Sequence, residues 1–105
     1  MLTIDEAVTR FIALSPEDKA RALGKICYEF TIAGRDVGRA GDSRQQRDGL
    51  WAVNEIQHKL AAQMLAFMNG RTQRYPDKDF FLILEGLCQQ AHMLLYLQGI
   101  LSKVL

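Results

Sequence analysis

Two histidines and two cysteines are the side chains best suited to chemistry in this sequence. Cys88 and His92 are four residues apart, so they would share one face of a helix. Together with His58 and Cys27 they would make a four-ligand zinc shell. Structural zinc ligands usually come as closely spaced pairs from loops, and these four would meet only in one register of the helices. We therefore predict no metal site and no cofactor.

Neither cysteine has the surroundings of a catalytic nucleophile. A reactive thiolate needs an exposed, electropositive pocket. Cys27 and Cys88 instead fall in apolar stripes of helical spacing, where a free cysteine is usually a small buried hydrophobic residue. The sequence therefore predicts a protein that is not an enzyme, and the two thiols suit a reducing compartment.

Three polar residues, Asn54, Gln57 and His58, interrupt the apolar pattern of a long helix. Burying such groups is costly unless each finds a hydrogen-bond partner. In antiparallel helical hairpins His92 would lie at the height of Asn54. We expect these four side chains to form a polar layer across the middle of a bundle, which either fixes register and oligomeric state or binds a partner.

The segment 54–60, NEIQHKL, resembles part of the dimerisation helix of one histidine-kinase class. That class carries an acid, two residues, a histidine, a basic residue and an apolar residue. The matching residues are Glu55, His58, Lys59 and Leu60. The resemblance ends at Ala61, where the class has lysine. It implies a phosphotransfer or kinase-decoy module that uses His58, because the rest of the chain is too short for an ATP-binding domain.

Over its whole length the sequence is similar to small uncharacterised bacterial helical proteins. The likeness rests on residues 30–36, 54–59 and 74–77, which carry the phrases FTIAGRD, NEIQHK and RYPD. It implies a helical fold and no particular activity.

Helix start and stop signals place four helices along the chain. Thr3 and Glu6 have the spacing of a capping box, and Ser15 followed by Pro16 supplies an N-cap and a first-turn proline. The predicted helices span residues 3–14, 16–37, 44–69 and 77–104, with polar loops at 38–43 and 71–76. No segment has the alternation of a strand. We therefore expect a single all-α domain, an antiparallel bundle of one short and three long helices.

The last predicted helix is apolar on two nearly opposite sides. Its main stripe comprises Phe80, Ile83, Leu84, Leu87, Ala91, Leu94 and Leu95, and its second stripe comprises Leu82, Gly86, Met93, Leu97, Ile100 and Val104. One core cannot cover both stripes, so either the first helix folds back over the second stripe or another chain covers it. Trp51 adds apolar surface on the third helix. The predicted homodimer interface comprises Trp51, Leu82, Met93, Leu97 and Ile100.

Basic residues cluster around the loop between the second and third helices. Arg39, Arg44 and Arg47 lie beside a helix N-terminus, where free N–H groups favour anions. We therefore name them as candidate anion contacts. Three nearby aspartates dilute the charge, and a solvated loop with weak local ion pairs is the alternative.

The overall composition excludes several classes of function. Hydrophobic residues make up 49% of the chain and charged residues 24%, as in ordinary globular domains. The net charge is +1, whereas a dedicated nucleic-acid binder is usually strongly basic. No apolar run is long enough for a membrane span, and the first ten residues carry acids in place of the positive start of a signal peptide.

We therefore expect a cytoplasmic protein without membrane or nucleic-acid partners. The predicted function is that of a binding or adaptor module acting through protein–protein contacts. Its partner would be a second copy of the chain, another protein, or both.

Overall fold

The computed structural model describes residues 1–39, 43–71 and 75–105, which form five α-helices and no strand. The helices are α1 (Ile4–Ile12), α2 (Pro16–Arg39), α3 (Ser43–Met68), α4 (Asp77–Gln90) and α5 (Leu94–Val104). The predicted all-α fold is confirmed, and the first three predicted helices match closely. The predicted loops fall partly on residues 40–42 and 72–74, outside the described ranges.

Local capping explains where the first two helices begin. Thr3 Oγ1 accepts a hydrogen bond from the Glu6 backbone N–H (3.1 Å), and Glu6 Oε1 accepts one from the Thr3 N–H (3.2 Å). This is the predicted capping box, and the bond from the Thr3 N–H lowers the pKa of Glu6 by stabilising its carboxylate. At α2, Ser15 Oγ accepts a bond from the Asp18 N–H (3.2 Å), so Ser15 is the predicted N-cap.

The prediction of one continuous helix over residues 77–104 is wrong, because the chain turns sharply between α4 and α5. His92 lies at the turn with a φ of 57°, in the left-handed region. The Met93 N–H donates to the Cys88 carbonyl (2.7 Å), and the His92 N–H donates to the Gln89 carbonyl (3.2 Å). These two bonds form a Schellman motif, in which glycine usually holds the left-handed position. A histidine holds it here, so the sequence offered no conventional stop signal.

The turn at His92 explains the two apolar stripes of this segment. The buried residues before the turn include Phe80 and Leu84 of the main stripe, and those after it are Met93, Leu97, Ile100 and Leu101. Leu82, a second-stripe residue before the turn, is exposed, and so is Leu95, a main-stripe residue after it. Because the chain changes direction, different sides of the two helices face the core.

Three residues predicted to form an interface are therefore core residues. Met93, Leu97 and Ile100 are each no more than 7% exposed. Helix α5 packs mainly against α2, while α1 contacts both α4 and α5. The second stripe is covered within the chain after the turn, and of the predicted interface only Trp51 and Leu82 remain exposed.

Helices α2 and α3 make the most extensive contact among the described helices. Gly49 of α3 is buried, and a Cβ there would clash with the Val37 side chain of α2, so the close approach requires glycine. Gln57 Nε2 crosses the same interface and donates to the Cys27 carbonyl (3.2 Å) and Thr31 Oγ1 (2.9 Å). Helix α3 meets α4 far less extensively, which leaves a groove between them.

Candidate functional site

A groove in two adjoining parts lies between the N-terminal half of α3 and the turn that joins α4 to α5. One part, the Trp51 groove, has a volume of about 430 Å³ and is lined by Arg47, Asp48, Trp51, Ala52, Leu87, Gln90 and Ala91. The other part, the His92 cleft, has a volume of about 550 Å³ and is lined by Val37, Arg44, Gln45, Asp48, Gly49, Gln90, Ala91, His92, Met93 and Tyr96. The two parts share Asp48, Gln90 and Ala91.

Trp51 forms one wall of the Trp51 groove and remains 55% exposed. Leu87 of α4 and Ala91, the residue that follows α4, also line the groove and are half-buried. The buried side chain of Ala52 also lines the groove. The result is a surface with an apolar floor and a large aromatic ring at its edge.

The His92 cleft collects polar side chains from three elements. Arg44 comes from the first turn of α3, His92 from the turn after α4, and Tyr96 from the first turn of α5. Within the ranges that the structure describes, these three side chains make no ion pair or hydrogen bond with one another or with the rest of the protein. All three side chains are exposed to solvent.

The predicted polar layer does not form. Asn54 and His58 are exposed on the outer face of α3, whereas Gln57 is half-buried and bonded to α2. His92 lies beside Arg44, more than two turns of α3 away from the height predicted for it. The prediction failed because α4 ends at a turn and diverges from α3, so positions counted along straight antiparallel helices no longer correspond.

His58 lies in a separate, shallow depression near the C-terminal half of α3. Its volume is about 170 Å³, and its lining includes Glu55, Lys59 and Tyr75. Neither cysteine lines this depression or the His92 cleft. The four candidate zinc ligands are therefore not brought together, and the described residues contain no group of three or more potential metal ligands.

The three candidate anion contacts occupy different places. Arg44 lines the His92 cleft and Arg47 lines the Trp51 groove, whereas Arg39 is the exposed last residue of α2 and lines neither. The first turn of α3 carries no acidic side chain. The positive end of the helix macrodipole and Arg44 therefore lie together.

The two thiols are poor nucleophiles. Cys88 is fully buried, and this burial raises its pKa to about 12. Burial also raises the pKa of the half-buried Cys27. Both thiols therefore remain protonated at neutral pH, as expected from their positions in apolar stripes.

Two buried polar features were missed from the sequence. Gln63 is buried and donates to the Tyr75 carbonyl (3.2 Å). Gln63 lies three residues after Leu60 and four before Phe67, a spacing that assigns it to the buried face of α3. This spacing could have identified it from the sequence. The second feature joins distant helices: Lys19 Nζ lies 2.8 Å from Asp77 Oδ2. Lys19 and Asp77 are far apart in the sequence, so no local sequence pattern predicts their ion pair.

Neither a known protein family, nor a curated protein, nor a solved structure matches the chain. None of the helices in the described ranges has the length and apolarity needed to cross a membrane.

Proposed function

We propose that the protein is a protein-binding module that assembles as a homodimer, with a second copy of the chain occupying the Trp51 groove. The observation that carries the proposal is the exposure of the chain's single tryptophan on the wall of an apolar-floored groove. Tryptophan is enriched at protein interfaces and among the residues that dominate binding energy. Burying this ring against Leu87 and Ala91 of a second copy would remove a large apolar area from water.

The charges at the Trp51 groove favour a second copy as its occupant. In a two-fold interface, a residue i that meets residue j of the partner is matched by j meeting i. Arg47 and Asp48 are adjacent and both line the groove, so one symmetric arrangement pairs each arginine with the aspartate of the other copy. A net charge of +1 leaves little long-range repulsion between copies. Such pairs set orientation more than affinity.

A dimer formed in this way leaves other apolar surface available. Leu82 is exposed on α4 and lines neither part of the groove. An adaptor role would use this surface for a different protein. A cytoplasmic location suits this proposal, since both cysteines are free thiols.

Sedimentation velocity on the wild type and two matched variants tests the assembly. The wild type should be a dimer at micromolar concentration. Trp51→Ser should be monomeric with unchanged helicity, and Leu95→Ser, which removes a more exposed apolar side chain outside the groove, should remain dimeric. A monomeric wild type, or a dimeric Trp51→Ser, would contradict the proposal. Leu97 is unsuitable for this test because it is buried.

Charge reversal tests the pairing. Arg47→Asp alone should weaken the dimer, because it places two carboxylates opposite each other. The double variant Arg47→Asp/Asp48→Arg should restore it, because the reciprocal pairs form again with reversed sign. Equal weakening in the single and double variants would exclude this arrangement.

His58 supports a second candidate function, phosphoryl acceptance. The side chain is exposed on the outer face of α3 beside Lys59, and access to a phosphoryl donor requires such exposure. Incubation with phosphoramidate followed by mass spectrometry should give an acid-labile phosphate on the wild type and on His92→Gln but none on His58→Gln. Absence of phosphate from His58, or equal labelling of both histidines, would contradict a dedicated site.

A further inference from the structure

Going beyond the proposed dimer, we propose that the His92 cleft binds a small organic phosphate or carboxylate. The anionic group would lie between Arg44 and His92, and the organic part would contact the apolar side chains that line the cleft. The cleft has a volume of about 550 Å³, within the range of about 300–1,000 Å³ that is usual for small-molecule sites. Neither the dimer nor His58 accounts for the side chains gathered there.

The polar lining of the cleft includes donor groups from three elements, together with Gln45, Asp48 and Gln90. Arg44 presents a guanidinium group, which binds carboxylates and phosphates through two parallel hydrogen bonds. The ring of His92 and the hydroxyl of Tyr96 add donors from two other elements. In the described part of the chain no acceptor is bonded to any of the three. All three side chains are exposed, so water accepts from them in the free protein, and a bound anion would replace that water with a charged acceptor.

One carboxylate, Asp48, lines the cleft at its border with the Trp51 groove. It forms no ion pair with Arg44 although the two are four residues apart on α3. Its presence opposes an anion close to that border and favours the opposite end of the cleft. A ligand carrying a hydroxyl or amine could donate to Asp48 while its anionic group binds Arg44.

The first turn of α3 itself lacks an acidic side chain, although Asp42 directly precedes this helix in the sequence. Acidic side chains usually occupy the first turn of a helix, where they stabilise it by about 0.3–1 kcal/mol. This turn carries Arg44 and no acid. The arginine charge therefore adds to the positive end of the macrodipole, and an anion in the cleft would interact favourably with both.

The cleft has apolar as well as polar lining residues, and the apolar ones offer an organic anion contacts that inorganic phosphate cannot make. Val37, Gly49, Ala91 and Met93 line the cleft, and Gly49 and Met93 are buried. Small-molecule sites commonly combine apolar side chains with convergent polar groups. The ligand should therefore bind through its organic part as well as its charge.

Titration calorimetry with phenyl phosphate as the probe tests the proposal on the full chain. The wild type should bind phenyl phosphate, bind inorganic phosphate more weakly, and fail to bind phenol. Arg44→Gln should weaken binding at least about tenfold, as expected for loss of a charge-assisted hydrogen bond. Arg39→Gln is the matched control, because it removes the same charge outside the cleft. Phenylacetate in a parallel titration shows whether a carboxylate serves as well as a phosphate.

Three results would overturn the proposal: no binding of either phenyl phosphate or phenylacetate, equal binding of phenol, or equal losses in Arg39→Gln and Arg44→Gln. Trp51→Ser separates this proposal from the dimer. Because Trp51 does not line the cleft, the variant should lose assembly and retain phenyl phosphate binding. Arg44→Gln should show the reverse.

Discussion

Helices α3 and α4 end with the same backbone hydrogen bonds but with different residues in the left-handed position. Gly70 follows α3 with a φ of 63°, and His92 follows α4 with a φ of 57°. The bonds that close the two ends are Arg71 N–H to Ala66 O (2.9 Å) and Met93 N–H to Cys88 O (2.7 Å). The backbone is therefore equivalent at both ends, and the difference lies in the side chains.

The residue that follows the left-handed position shows why α3 ends with glycine and α4 ends with histidine. Arg71 is exposed, so the end of α3 leads away from the core, whereas Met93 is buried and leads directly into α5. Packing of Met93 therefore holds His92 in a conformation that costs about 1–2 kcal/mol for a residue with a side chain. Local preference decides the end of α3, and tertiary packing decides the end of α4.

Replacing the residue after each left-handed position by alanine should give the largest difference in stability between the two helix ends. Met93→Ala should destabilise the protein by about 3 kcal/mol, because it leaves a cavity in the core. Arg71→Ala should change stability by less than about 0.5 kcal/mol, since the side chain is exposed. Urea denaturation measures both. Similar small losses would show that Met93 does not hold the turn.

Gly70→Ala should destabilise the protein by about 1 kcal/mol, because alanine is strained at positive φ. A Cβ at Gly70 meets no atom within 4 Å, so the effect comes from the backbone alone. Gly86→Ala is the control. It lies in the interior of α4, where a Cβ is also unobstructed, and it should stabilise by about 0.5–1 kcal/mol through helix propensity. An increase in stability on Gly70→Ala would show that alanine is not strained at this positive φ.

His92→Gly should stabilise the protein by about 0.5 kcal/mol. Relief of the left-handed strain is worth about 1–2 kcal/mol, and the greater entropy of glycine in the unfolded chain offsets about 0.5–1 kcal/mol of it. The midpoint of urea denaturation should rise without a change in slope. A fall in the midpoint would show that the imidazole makes a stabilising contact within the fold.

His92→Asn should have the smallest effect, a stabilisation of about a few tenths of a kcal/mol. Asparagine tolerates the left-handed region better than other residues with side chains, and histidine is also enriched there. The thermal midpoint should stay close to that of the wild type. A large shift in either direction would mean that side-chain contacts, not backbone preference, set the stability of this turn.

The same contrast explains what the sequence could predict. The capping residues Thr3 and Ser15 act on N–H groups three residues away, so their roles follow from local spacing. The turn at His92 depends on burial of Met93 by distant helices, and no glycine or proline marks it. The second apolar stripe was the sequence feature that could have indicated the turn. Leu82, before the turn, is exposed, whereas Met93, Leu97 and Ile100, after it, are buried.

Several residues of the groove were singled out from the sequence, but their grouping was not. Trp51, Arg44 and His92 were assigned separately to an interface, an anion contact and a polar layer. In the structure Arg44 and His92 line the His92 cleft, and Trp51 lines the adjoining Trp51 groove. Arg44 and Trp51 are seven residues apart on α3, so periodicity along that helix does place them on one face. The position of His92 depends on how the turn after α4 packs, which periodicity along a single helix does not contain.

Cys88 accepts the hydrogen bond that closes the turn at His92, and its thiol is fully buried. A thiol reagent can modify it only after this part of the chain opens and the pKa returns from about 12 towards its ordinary value of 9.0. When reclosing is faster than modification, the labelling rate measures the free energy of that opening. The half-buried Cys27 on α2 provides a second reporter. The modification rates of the native cysteines thus report local opening of α2 and α4 without an introduced probe.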